Sequence, residues 1–88
     1  MMKHKLRSYQ QVLCVTMEEC GELTQACSKY LRFGNTEEIK KEAGDVLAMI
    51  DLLVEYGFVT KEELEKRKLI KFDKLTQYSD ILWGKTND

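Results

Sequence analysis

The chain has 88 residues, with 14 Lys or Arg against 15 Asp or Glu and a formal net charge of −1. That balance makes no case for a nucleic-acid ligand, which favours a clearly basic face, and no stretch approaches the ~18 consecutive apolar residues of a membrane span. One small domain is expected; a chain of this size buries only about 60–65% of its unfolded surface and is marginal alone, so oligomerisation is expected with it.

The first predicted helix covers residues 5–32, where Leu13, Met17, Cys20, Thr24, Cys27 and Leu31 recur at alternating four- and three-residue steps. Phe33-Gly34-Asn35 closes it, with Gly34 suited to a left-handed cap. Asn35 then caps a second helix, with Glu38 three residues on as its reciprocal partner. That helix carries Ile39, Ala43, Val46, Leu47, Ile50, Leu53 and Val54 and stops at Tyr56-Gly57. Thr60-x-x-Glu63 is the capping box of a third helix, which continues through Leu64, Leu69, Phe72 and Leu75 towards Ile81. Proline and strand signals are both absent. The class is therefore all-α, with three main helices and a loose tail after residue 83. A first helix of roughly 28 residues spans about 40 Å and packs poorly with two shorter ones as a closed monomer. A bundle completed by dimerisation, or by a dimer of dimers, is the expected assembly.

Cys14, Cys20 and Cys27 are odd in number and contain no C-x-x-C pair. Cys20 and Cys27 share the apolar stripe and read as small core hydrophobes rather than ligands. A reducing cytoplasm fits free thiols, and residues 1–6 are too polar to open a secretory signal. His4 is the one histidine and is assigned no role.

Chemistry enters with two stretches of one pattern, Glu19-Cys20-Gly21-Glu22-Leu23 and Glu42-Ala43-Gly44-Asp45-Val46. Acids three apart share a helix face, so each stretch presents a carboxylate pair. The glycine inside each costs a helix roughly 1 kcal/mol relative to alanine, and close approach of another backbone or a bound ion is expected to offset that. Spacing alone is weak, since about one residue in six is acidic and a solvated helix face is the plain alternative. The distribution of bases argues against that alternative. No basic residue lies between Arg7 and Lys29 to pair with Glu18, Glu19 and Glu22, and none lies between Lys41 and Lys61; Lys41 alone stands where it can pair with Asp45. Positive charge is gathered instead on the third helix, at Lys61, Lys66, Arg67, Lys68, Lys71 and Lys74. Such a division suits a metal-and-polyphosphate site. Carboxylate oxygens without imidazole or thiolate select hard cations, Mg²⁺ or Mn²⁺. A di-iron bundle would need Glu-x-x-His pairs, and zinc would need nitrogen or clustered sulfur.

Glu18-Glu19-x-x-Glu22, nineteen residues, then Glu42-x-x-Asp45 resembles the EExxE…ExxD signature of the MazG-like nucleoside triphosphate pyrophosphohydrolases. Gly21, Gly44 and the run Val46-Leu47-Ala48-Met49-Ile50 look like that family too, and the resemblance covers residues 9–75. It implies an all-α homodimer or homotetramer that hydrolyses an NTP or dNTP to the monophosphate and pyrophosphate with Mg²⁺. By position, Glu19, Glu22, Glu42 and Asp45 resemble the metal ligands. Glu18 resembles the further acid that touches a second metal or orients the attacking water, which with Glu19 makes the catalytic pair. Lys68, Lys71 and Lys74 are the nearest counterparts of the family's phosphate-binding bases. An asparagine common among those bases has no match here, where Phe72 and Asp73 stand.

No residue is singled out for the base: Tyr9, Tyr30, Phe33, Tyr78 and Trp83 are able to stack on one, but each reads first as core or interface. Two other readings stay open. Phosphoribosyl-ATP pyrophosphohydrolase shares the helical scaffold and similar acids; a non-catalytic helical dimerisation module would use its acids only for solubility.

Overall fold

A computed structural model describes residues 6–80. Among these are three helices and no strand: α1 (Ser8–Phe33), α2 (Glu37–Glu55) and α3 (Lys61–Tyr78). His4, Ile81, Trp83 and the tail beyond it lie outside the described residues, as does Lys5, the predicted start of the first helix.

Local chemistry explains each boundary. At the head of α1, Gln10 Oε1 accepts a hydrogen bond from the Arg7 N–H at 3.0 Å, and Arg7 is the cap. The helix ends where Gly34 turns left-handed at φ 77°, its N–H donating to the Tyr30 carbonyl at 2.8 Å. A side chain is disfavoured there, and glycine is not. The start of α2 departs from the expected capping box. Thr36 takes the cap position, and Asn35 Oδ1 accepts from the Glu37 N–H at 2.8 Å. Glu38 does not reach back to Asn35; it meets Lys29 of α1 at 3.2 Å, because the foot of α2 lies beside the last turns of α1. Gly57, at φ 80°, closes α2. The predicted box at α3 is present in both halves: Thr60 Oγ1 accepts from the Glu63 N–H at 3.1 Å, and Glu63 Oε1 accepts from the Thr60 N–H at 2.9 Å.

Contacts divide the chain into two units, Met1–Phe58 with α1 and α2, and Val59–Asp88 with α3. In the first unit α1 and α2 are antiparallel. Lys29 meets Glu38 at one end, Glu19 meets Glu42 and Asp45 in the middle, and Ser8 shares a cavity wall with Tyr56 at the other. A seven-residue step returns to nearly the same helix face. Val12, Glu19 and Ala26 are so spaced on α1, and Glu42 and Met49 on α2; Val12, Ala26, Met49 and Glu42 are buried. The acids therefore lie on the seam between the helices, in line with its apolar residues.

This corrects the expected core. The stripe of Leu13, Met17, Cys20, Thr24, Cys27 and Leu31 is exposed in the chain, Leu31 to 84%, and Cys20 and Cys27 are exposed thiols rather than core residues. Two apolar faces run along α1, and the one read first from periodicity is not the one that meets α2. On α2, Ile39, Ala43, Val46, Ile50, Leu53 and Val54 are half-buried and Leu47 is exposed.

In the second unit α3 buries no residue fully. Leu64 and Leu75 are half-buried, while Leu69, Ile70 and Phe72 are exposed. Among the described residues no helix is long and apolar enough to cross a membrane.

Candidate metal centre

Glu19 from α1 and Glu42 and Asp45 from α2 each offer a carboxylate oxygen, and the three oxygens lie within 4.8 Å of one another. The arrangement follows from spacing: Glu42 and Asp45 sit three apart on one face of α2, opposite the Glu19 that Val12 and Ala26 hold in the seam. Glu42 is only 8% exposed. Glu19 Oε1 and Glu42 Oε1 are buried and accept no hydrogen bond. An unsatisfied buried acceptor costs about 1–3 kcal/mol, more when charged. Three carboxylates at this separation also repel. A hard divalent cation meets both needs, and this donor set, all oxygen, fits Mg²⁺ or Mn²⁺.

Proton affinities register the crowding. The Glu19 carboxyl is held above its ordinary 4.5, first by loss of solvent and then by the charges of Glu22, Asp45 and Glu42, with Lys41 pulling the other way. The Lys41 ammonium is held above its ordinary 10.5, first by its hydrogen bond to Glu42. Lys41 Nζ lies 3.3 Å from Glu42 Oε2 and 3.5 Å from Asp45 Oδ2, so the Asp45 pairing foreseen from sequence is made and a second, with Glu42, joins it.

Glu22 and Glu18 stand apart from the group of three. Both are exposed, although the Glu22 charge is felt at Glu19. Lys68, Lys71 and Lys74 are exposed on α3, and Lys68 pairs with Glu65 at 3.2 Å. Tyr9, Tyr30, Phe33 and Tyr78 are exposed, with the Arg32 guanidinium 5.3 Å from the centre of the Phe33 ring. The two helix-interior glycines lack the close backbone approach expected of them within this chain. A Cβ added at Gly21 or at Gly44 meets nothing within 4 Å.

One feature escaped the sequence reading. A cavity of about 260 Å³ opens on the same α1–α2 seam, lined by Ser8, Gln11, Val12, Val15, Met49, Leu52 and Tyr56. Val15 precedes Glu19, and Met49 follows Asp45, by four residues each, a rise of about 6 Å. The cavity thus begins one helical turn from the acids. Continuing the faces of Glu19 and Asp45 by one and two turns would have found most of its walls.

The family model for the MazG nucleotide pyrophosphohydrolase domain matches residues 7–74. No curated protein and no solved structure matches the chain. The matched span takes in α1, α2 and most of α3.

Proposed function

The chain belongs to the MazG nucleotide pyrophosphohydrolase family, and from that premise we propose that it hydrolyses a nucleoside triphosphate, ribo or deoxy, to the monophosphate and pyrophosphate. The observation that carries this reading is the pair of buried, unpartnered oxygens of Glu19 and Glu42 beside Asp45. The reaction adds water across the α–β phosphoanhydride: the water oxygen joins the α-phosphorus as the bond to the leaving pyrophosphate breaks.

Glu19, Glu42 and Asp45 hold the divalent cation, with the exposed Glu22 able to join them from the next turn of α1. Bound there, Mg²⁺ (or Mn²⁺ in its place) supplies charge that neutralises the carboxylates, draws in the triphosphate and acidifies water. Glu18 and Glu19 are the candidates for orienting that water and accepting its proton. Lys68, Lys71 and Lys74 are the candidates for neutralising charge on the phosphates. The cavity beginning one turn from the acids takes the sugar and base. Val12, Val15, Met49 and Leu52 in its lining suit a flat apolar ring, and Ser8, Gln11 and Tyr56 add polar groups to that lining.

The working form is a homodimer or homotetramer, which would cover the exposed stripe of Leu13, Met17, Cys20, Cys27 and Leu31. The proposed activity suits a cytoplasmic role in nucleotide-pool control or house-cleaning. The test is a panel of NTPs, dNTPs and phosphoribosyl-ATP incubated with Mg²⁺, with products resolved by phosphorus NMR. Release of pyrophosphate and a nucleoside monophosphate is expected. Turnover of phosphoribosyl-ATP alone would move the chain to histidine synthesis, and no turnover of any member would sink the enzyme reading.

A further inference from the structure

Building on the proposed metal-dependent hydrolysis, we infer that Lys41 is a displaceable counter-ion: its ammonium holds Glu42 and Asp45 until the divalent cation arrives, then moves onto the substrate's phosphates.

The geometry is specific to this side chain. Lys40 and Lys41 are neighbours, yet Lys40 turns back to Glu37 at 3.3 Å, while Lys41 spans two of the three clustered carboxylates. Helix stabilisation is a poor account of that choice. Residues one apart do not face each other on a helix, and a lysine four positions before an acid is the weaker of the two orientations. What the contact does is place a single positive charge where a double one fits.

The two cations compete for the same carboxylates, the ammonium already on Glu42 Oε2 and Asp45 Oδ2 while Glu42 Oε1 stays open to the metal. Lys41 Nζ approaches Glu42 Oε2 and Asp45 Oδ2 at 3.3 and 3.5 Å, whereas Mg²⁺ binds carboxylate oxygens at about 2.0–2.1 Å. Like charges that close repel strongly, so one must leave. Glu42 is fixed in the seam, its side chain 10% exposed, while that of Lys41 is 67% exposed and free to swing. The lysine yields. Its four-carbon stem keeps the ammonium within reach of the centre, where the triphosphate brings new oxygens. Lys40 and Lys41 are the basic residues of α2, and with Lys40 turned to Glu37, Lys41 is the one of the two placed to reach the phosphates.

Lys41→Met, and Lys41→Gln as a second neutral variant, test this in the full chain. Without nucleotide, Mn²⁺ affinity measured by electron paramagnetic resonance should tighten about two- to fivefold in both, the range set by loss of one exposed ion pair. With Mg²⁺ saturating, KM for the nucleotide should rise several-fold while kcat changes less. Unchanged or weaker Mn²⁺ binding in the neutral variants, or an unchanged KM, overturns the role of Lys41. Absence of Mn²⁺ binding to the wild-type chain, or wild-type binding by Glu42→Gln, overturns the metal centre itself and takes this inference with it.

Discussion

Glu19 of α1 and Glu42 of α2 face one another across the helix seam, and each keeps one carboxylate oxygen buried without a partner. Two such groups from different helices are not a folding device. Replaced by apolar groups of similar shape, buried charged groups often leave a protein as stable or more so. The proposed cation site gives their placement a reason.

Replacing Glu42 with Met should therefore stabilise the metal-free protein by about 1–2 kcal/mol, which raises Tm by roughly 4–8 °C per kcal/mol in a chain this small. The wild type should gain roughly 2.7 kcal/mol when Mg²⁺ reaches a hundred times its Kd, and Glu42→Met should lose that gain. Thermal melts with and without Mg²⁺ measure both. A wild-type melt that stays flat through millimolar Mg²⁺ would count against the centre.

Glu19→Gln and Asp45→Asn each remove a ligand and part of the mutual repulsion, so both should stay folded while turnover falls by roughly 10²–10⁴-fold. Steady-state rates beside far-ultraviolet circular dichroism separate the two effects. Retained activity in both variants would defeat the ligand assignment.

The pH response has a definite sign. Glu19 binds its proton more tightly in the folded chain than its ordinary 4.5, so the folded state takes up more protons in that range. Its contribution to stability is thus greatest at low pH and is lost as pH rises from about 4.5 through the higher folded value. Cation binding needs the carboxylate free, so apparent Mg²⁺ affinity should fall as pH is lowered through the same window. Calorimetric titration in two buffers of different ionisation heat, run at a series of pH values upward from about 4.5, should detect proton release on Mg²⁺ binding at the acidic end of the series. Its absence in the wild type would contradict the crowding at Glu19.

Gly21→Ala puts a methyl group into open space within the chain, and alanine is the better helix former by about 1 kcal/mol. Urea unfolding should show a gain of about 0.5–1 kcal/mol. A loss instead would mean that a second subunit packs against the glycine.

Leu31→Asp, at the most exposed large apolar position among the described residues, should leave the isolated chain folded yet weaken self-association. Sedimentation of the variant at monomer mass, against a dimeric or tetrameric wild type, is the expected result; co-migration of the two would place the interface elsewhere.

The helix count and most helix ends were legible in the residues because they are set by atoms a few positions apart: Gly34 adopting positive φ, Thr60 and Glu63 closing a reciprocal box. The residues also offered Glu19, Glu22, Glu42 and Asp45 as candidate ligands, because these acids lack enough bases on their own helices; the structure brings three of the four together and leaves Glu22 exposed. The Asn35 box was misread because Glu38 had a better partner, Lys29, on another helix.

Which face of a long helix meets its neighbour is a different kind of fact. On α1 both the Leu13–Leu31 stripe and the Val12–Glu19–Ala26 line satisfy helical periodicity, and only the approach of α2 chose the second. Periodicity favours the stripe richer in large apolar residues, because it scores each helix as though its own composition picked its partner. Tertiary packing instead put a glutamate into the buried line of α2, opposite another on α1, and so brought Glu19 of one acidic pair beside both members of the other, Glu42 and Asp45.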